Sequence, residues 1–285
     1  EPRRSGACAV CGPAHALMKN VAAPSGAAFF LLFPGDWHTI GEERMMNVYR
    51  KIKKGLLIAL AVLLVFTAVF GIYAGDYYHA DLEAIQDNAL KMDYERMERL
   101  EDGSLVFYPG EYDSAVIFYP GGKVEALAYI PLMESLAQEG VLAVLMPMPF
   151  NLAVLAKNAA EGIPEQFPEV ENWCMAGHSL GGSMAASFAA ENTAWVDGLI
   201  LLAAYSTDPV ELPVLSIYGS EDGVMNMEKY KKYRANLPEL TEQIIDGGNH
   251  AGFGFYGPQE GDGEASISRQ EQIEQTARLM AEFVR

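Results

Sequence analysis

Cysteine is scarce in this chain. There are three in 285 residues, and Cys8 and Cys11 both lie near the start, so Cys174 stands alone in the remainder. A disulfide framework within that remainder is excluded, and any domain there must be held by its apolar core. Cys8 and Cys11 form one C-x-x-C without a second pair, short of the four ligands of a structural zinc site, so no metal and no cofactor is expected. Basic residues are also scarce after residue 54. Residues 1–54 carry eight Lys/Arg and four Asp/Glu (net +4), whereas 55–285 carry twelve and thirty-four (net −22). So acidic a surface excludes nucleic acid as a partner and gives no electrostatic draw toward anionic lipid. Internal repeats and low-complexity tracts are absent, and only five histidines are available for acid–base chemistry.

Charge is missing altogether from residues 55–73, GLLIALAVLLVFTAVFGIY. As a helix, these nineteen residues would span about 28 Å, close to the ~30 Å hydrocarbon core of a bilayer. Arg50, Lys51, Lys53 and Lys54 precede the run, and Asp76 and Asp81 follow it. The positive-inside rule then keeps the N-terminal side cytoplasmic and puts everything after Tyr73 outside, at the cell membrane. Val69-Phe70-Gly71 also resembles a small-residue cleavage site, so a cleaved signal peptide is the competing expectation. The organisation expected is an unstructured or non-native extension over 1–44, a basic leader over 45–54, a transmembrane signal anchor over 55–73 and one globular domain over 76–285. Residues 81–90 read as a short helical stalk.

Within the domain, strand-like runs alternate with helix-like stretches. Strands are expected over 105–108, 115–119, 141–146, 173–176, 198–204, 214–218 and 243–245. Helices are expected over 124–138, 152–160, 182–191, 227–237 and 268–284. Strands apolar on both faces, separated by helices, imply an α/β fold with a mostly parallel central sheet flanked by helices.

The most specific local signal is Gly177-His178-Ser179-Leu180-Gly181, after the apolar run Trp173-Cys174-Met175-Ala176 and before a small-residue helix. This is the G-x-S-x-G spelling of a nucleophile elbow, in which a strand turns sharply into a helix and presents a serine hydroxyl at the tip. Serine is a weak nucleophile and needs a base. His15 and His38 precede the apolar run, His79 adjoins it, and His178 should diverge from its neighbour Ser179. His250, in Gly247-Gly248-Asn249-His250-Ala251-Gly252, remains. The orienting carboxylate is expected at Asp222, in the loop after the 214–218 strand, with Glu221 as the fallback. An oxyanion hole would take the Leu180 N–H and a second N–H from Tyr119-Pro120-Gly121-Gly122-Lys123, Gly122 first and Lys123 second.

With these elements in the order Ser179, Asp222, His250, residues 104–285 resemble the α/β-hydrolase superfamily, and most closely its dienelactone-hydrolase-like branch, α/β-hydrolase fold 5. The resemblance rests on the elbow, the acid, the histidine, the Y-P-G-G-K loop and the late G-G-N-H-A. Dienelactone hydrolases carry cysteine at the elbow where this chain has Ser179, which favours ordinary ester chemistry. Pro120 stands where many relatives have histidine. Many relatives insert a lid between the strands ending near Ala204 and starting near Val214. Here about ten residues bridge them, which implies no lid domain and an open site.

The resemblance thus implies a serine hydrolase of the carboxylesterase kind, acting on a small-molecule ester. Met148, Phe150 and Phe253 are expected to line its substrate site. A membrane-anchored acyltransferase of the cell envelope is the alternative, and a non-catalytic binding module on the same scaffold is a third. Asp262 and Glu264 fall short of the oxygen ligands calcium needs and read as a solvated loop. The sequence does not specify an oligomeric state.

Overall fold

The computed structural model describes residues 37–89 and 96–285. Most of the expected extension, with Cys8 and Cys11, lies outside the described residues. The chain divides into two compact units, Glu1–Phe66 and Thr67–Arg285. A single helix, α1 (Trp37–Gly75), contains the whole apolar run, so no break separates the leader from the run. From Arg44 to Gly75 it is long and apolar enough to cross a membrane, and none of its most apolar window is buried by protein. Leu57, Leu60, Leu64 and Phe66 all stand exposed, a surface that favours a hydrocarbon environment over water.

The stalk expected over 81–90 is instead a docked helix, α2 (Leu82–Ala89). Asp81 Oδ1 accepts from the Ala84 N–H at 3.0 Å and caps it. Ile85 is buried in the core, which holds the helix against the domain rather than leaving it as a spacer.

Eight strands form one sheet: β1 (Met97–Arg99), β2 (Leu105–Phe107), β3 (Ser114–Tyr119), β4 (Leu142–Leu145), β5 (Asn172–His178), β6 (Gly198–Leu202), β7 (Val214–Gly219) and β8 (Leu240–Ile245). Their spatial order is β1-β2-β4-β3-β5-β6-β7-β8, antiparallel at β1-β2 and β2-β4 and parallel elsewhere. Four helices complete the frame with α2: α3 (Ile130–Gln138), α4 (Leu180–Glu191), α5 (Met227–Tyr233) and α6 (Arg269–Val284). One core cluster joins α2, α3 and α6 to one face of the sheet, and the other joins α4 to the opposite face. The chain leaves β3 toward β4 on one side and returns to β5 on the other. The strand order therefore reverses at β3/β5, the switch point at whose strand carboxyl ends open α/β sheets bind their ligands.

Two local expectations are corrected. Residues 152–160 form no α-helix but short 3-10 turns, Pro149–Asn151 and Ala153–Leu155. The cause is competition for backbone groups. The Tyr119 hydroxyl donates to the Lys157 carbonyl at 2.6 Å and accepts from the Ala160 N–H at 3.0 Å, and Phe150 and Asn151 take left-handed backbone with φ 54° and 55°. The helix expected over 124–138 starts later. Val124 instead bridges Tyr78, and a 3-10 turn (Ala126–Tyr129) leads into α3.

Ile117 is fully buried in β3 between two parallel neighbours, whereas Ile244 on edge strand β8 is 58% exposed. Ile117→Ala should lower the unfolding free energy by about 2–5 kcal/mol, and Ile244→Ala should change it by about 0.5 or less. Denaturant titration of the detergent-solubilised chain measures both.

Candidate active site

Ser179 sits between β5 and α4 with φ 52° and ψ −121°, a left-handed conformation that a side-chain-bearing residue adopts only under constraint. Its N–H donates to the Leu202 carbonyl at the end of β6 at 2.9 Å. The flanking glycines allow strand and helix to close. A Cβ on Gly177 would lie 2.6 Å from the Gly181 carbonyl carbon, and one on Gly181 would overlap the Pro120 and Tyr119 carbonyls. The strand–turn–helix context expected of the elbow is present.

The loop after β7 brings Asp222 to the loop after β8. Asp222 Oδ2 lies 2.9 Å from His250 Nδ1, with the two side chains 2% and 1% exposed. Oδ1 of the same carboxylate accepts from the Val224 and Met225 N–H groups at 2.9 and 2.8 Å, which fixes its orientation. Glu221 points outward and accepts from Ser220 Oγ, so Asp222 is the carboxylate against the histidine. With Nδ1 held by Asp222, His250 Nε2 is the free ring nitrogen. It is buried and has no hydrogen-bond partner among the described residues.

The imidazole of His178 lies under this site. Its centroid is 4.5 Å from that of His250, which brings the histidine loop to the elbow. Its Nδ1 is 2.7 Å from the Tyr129 hydroxyl, which accepts from the Gly121 N–H at 3.1 Å. Tyr129 thus bridges His178 and Gly121, and links the elbow to the 120–123 loop. Burial, then the neighbouring His250, hold the His178 pKa well below the ordinary histidine range, against a weaker pull from the His250 backbone. His178 Nε2 is likewise buried without a partner among the described residues, so what sets His250 apart is the Asp222 carboxylate on its Nδ1. Burial pushes the Cys174 thiol up to about 12, so it is inert.

In the 120–123 loop, the Lys123 N–H donates to the Asn151 carbonyl at 2.7 Å. The Gly122 N–H has no acceptor among the described residues. A Cβ on Gly122 would lie 2.7 Å from Leu180 Cδ2, so the Gly122 backbone packs on the side chain of Leu180, the other expected donor. Met148 is nearly buried (7%) and Phe150 is 60% exposed. Phe253 is corrected: it is fully buried with its ring 5.5 Å from that of His178, so it supports the histidines from the core and has no surface for substrate.

Asp262 is corrected as well. Its carboxylate is no solvated loop group but accepts from four backbone N–H groups: Gly223 (3.1 Å) in the acid loop, His250 (3.1 Å) and Ala251 (2.8 Å) in the histidine loop, and Gly263 (2.9 Å). Gln272 of α6 adds two bonds to Asn249, accepting from its N–H at 3.0 Å and donating to its carbonyl at 2.8 Å. Sequence reasoning missed these roles because neither residue stands in a spaced motif. The one available signal was an acidic residue among glycines close after the histidine loop.

The sequence profile of the alpha/beta hydrolase family matches residues 115–274. No curated protein matches the chain. Similar solved structures include Est1E from Butyrivibrio proteoclasticus, at 15% identity over 66% of this chain and 97% of that one, with a TM-score of 0.49. A dienelactone hydrolase from Anabaena variabilis is similar at 17% identity over 66% and 97%, with a TM-score of 0.48. A CIB-like hydrolase from Thermoplasma acidophilum follows at 16% identity over 65% and 97%, with a TM-score of 0.47. Because the family profile runs from β3 into α6, across more than half of the sequence, the chain belongs to the alpha/beta hydrolase family.

Proposed function

We propose that this hydrolase cleaves accessible carboxylic esters through an acyl-enzyme on Ser179. The observation that carries the reading is the buried Asp222–His250 hydrogen bond, which leaves His250 Nε2 free beside the elbow. In this mechanism Ser179 Oγ attacks the ester carbonyl as His250 Nε2 takes its proton. Asp222 stabilises the imidazolium, and the N–H groups of Leu180 and Gly122 receive the oxyanion. The imidazolium returns its proton to the departing alkoxide. A water deprotonated by His250 then attacks the acyl-Ser179 ester, and collapse of the second tetrahedral intermediate releases the acid and restores the serine. Of the loop that reaches Lys123 through Asn151, Phe150 is the exposed side chain proposed to meet the acyl group, whereas Met148 packs in the core.

The chain is further proposed to be anchored by 55–73 in the cell membrane, with Arg50, Lys51, Lys53 and Lys54 in the cytoplasm and the hydrolase unit outside. The apolar length of the helix and the charge asymmetry support this orientation.

Ser179→Ala should reduce ester turnover by about 10⁴-fold or more while leaving the melting temperature within a few degrees, since only the oxyanion donors and binding remain. It should also abolish labelling by a fluorophosphonate probe. Wild-type turnover in this variant would place the nucleophile elsewhere.

Asp222→Asn should lose most of kcat/KM, and Glu221→Gln should stay within a few-fold of wild type, because only Asp222 meets His250. The reverse ranking would reassign the acid.

External protease added to cells stripped of their wall or outer membrane should degrade the hydrolase unit and leave a short membrane-bound fragment. A protected domain would reverse the orientation, and a shortened protein in the medium would show that the apolar run is a cleaved signal.

A further inference from the structure

The turns over 149–155 carry three exposed apolar side chains: Phe150 (60%), Val154 (55%) and Leu155 (50%). On a water-facing surface, such a group calls for an apolar partner. Its position identifies one. The last turns of α1, from Thr67 onward, belong to the same compact unit as the hydrolase fold. Within that unit the ring of Phe70 meets the ring of Phe150 edge-on at 5.3 Å. Phe70 lies in the part of the uncharged run that belongs to this unit, so the exposed turn packs against the last turns of that run.

The same turn also adjoins the site. Asn151 accepts the Lys123 N–H, next to Gly122, and the Ala153–Leu155 turn packs on α4, the elbow helix. Phe150 and Asn151, both left-handed, hold the apolar side chains outward from this anchored base. The acidic net charge of the unit gives no electrostatic attraction to lipid, so contact with a bilayer would depend on apolar side chains like these.

We propose that Phe150, Val154 and Leu155 enter the bilayer surface beside α1, and that the site draws its substrate from the membrane as an ester bearing a long acyl chain. The proposal rests on the serine-hydrolase and membrane-anchor readings above. The reaction is the same ester hydrolysis: the carbonyl–alkoxy bond breaks, water supplies the new C–O bond, and a fatty acid and an alcohol leave.

The test uses the full chain reconstituted in phosphatidylcholine vesicles. Leu155→Trp is compared with Ile244→Trp, a site on the far edge strand, for fluorescence quenching by lipids brominated on the upper acyl chain. Quenching is expected at 155 and not at 244, and equal quenching at both sites would overturn the docking. In a second arm, the double variant Val154→Asn, Leu155→Gln is assayed on a soluble short-chain acetate ester and on a long-chain ester embedded in the vesicles. The soluble rate should stay within twofold of wild type, which also shows that the variant is folded, while the embedded rate should fall at least fivefold. Equal rates on the embedded ester would overturn the proposal. If Ser179→Ala left both activities intact, the hydrolase reading would fail, while the quenching result would still decide the docking.

Discussion

The left-handed backbone at Ser179 is the constraint on which the rest of the site depends. A non-glycine residue at φ 52° costs about 1–3 kcal/mol and persists only when its surroundings over-determine it. Those surroundings are the most buried part of the sheet. β5 pairs along its length with β3 and β6, and the Ser179 N–H is tied to the end of β6. On the other side, Gly181 brings α4 against the Tyr119 and Pro120 carbonyls at the end of β3. The turn cannot relax without separating the helix from the sheet, so the central core holds Ser179 at the carboxyl end of β5.

The remaining groups come from loops, which have no ladder to fix them. Their positions come from side chains that bind backbone. Asp262 joins the loop bearing Asp222 to the loop bearing His250 by accepting N–H groups from both. Gln272, itself buried on α6, holds Asn249 from the other side. Tyr129 does the same for the 120–123 loop through Gly121, with His178 hydrogen-bonded behind it. The histidine after Gly177 thus has a structural use that its adjacency to the serine does not suggest: neutral and buried, it terminates a hydrogen-bonded chain that leads to the Gly122 segment.

These two modes of support explain what could be read from the sequence. The parallel sheet, the elbow and the meeting of Asp222 with His250 were legible because each rests on local patterns: apolar runs, glycine spacing and loops that follow strands. Asp222 was preferred to Glu221 for its place in the loop after the 214–218 strand, and it is Asp222 that meets His250; the direction a loop gives each of two adjacent residues is the part no local pattern carried. Residues 152–160 were misread as helix because the apolar spacing was right while the decisive groups, the Tyr119 hydroxyl and two left-handed residues, lay outside that pattern. Phe253 and Asp262 failed for a related reason. Proximity to His250 in sequence suggested a wall and a solvated loop, but the tertiary fold turns one into the core and the other into a clamp.

The segment after α1 shows how far such support extends. Tyr78 donates its N–H to the Lys123 carbonyl at 2.7 Å, and its own carbonyl accepts from the Glu125 N–H at 3.0 Å. Lys123 also reaches Asp76 at 2.8 Å and lies over the Tyr73 ring, but the Asp76 partner is largely exposed and such pairs contribute little. The backbone bonds are therefore the ones that set position. Lys123 has its N–H on Asn151 and its carbonyl on Tyr78, so the loop beside Gly122 is fixed from both sides, once by the apolar turn and once by the chain leaving the apolar helix. A flexible tether would leave this loop held on one side only. The short, docked connection makes the first residues beyond the helix part of the scaffold that places the Gly122 N–H.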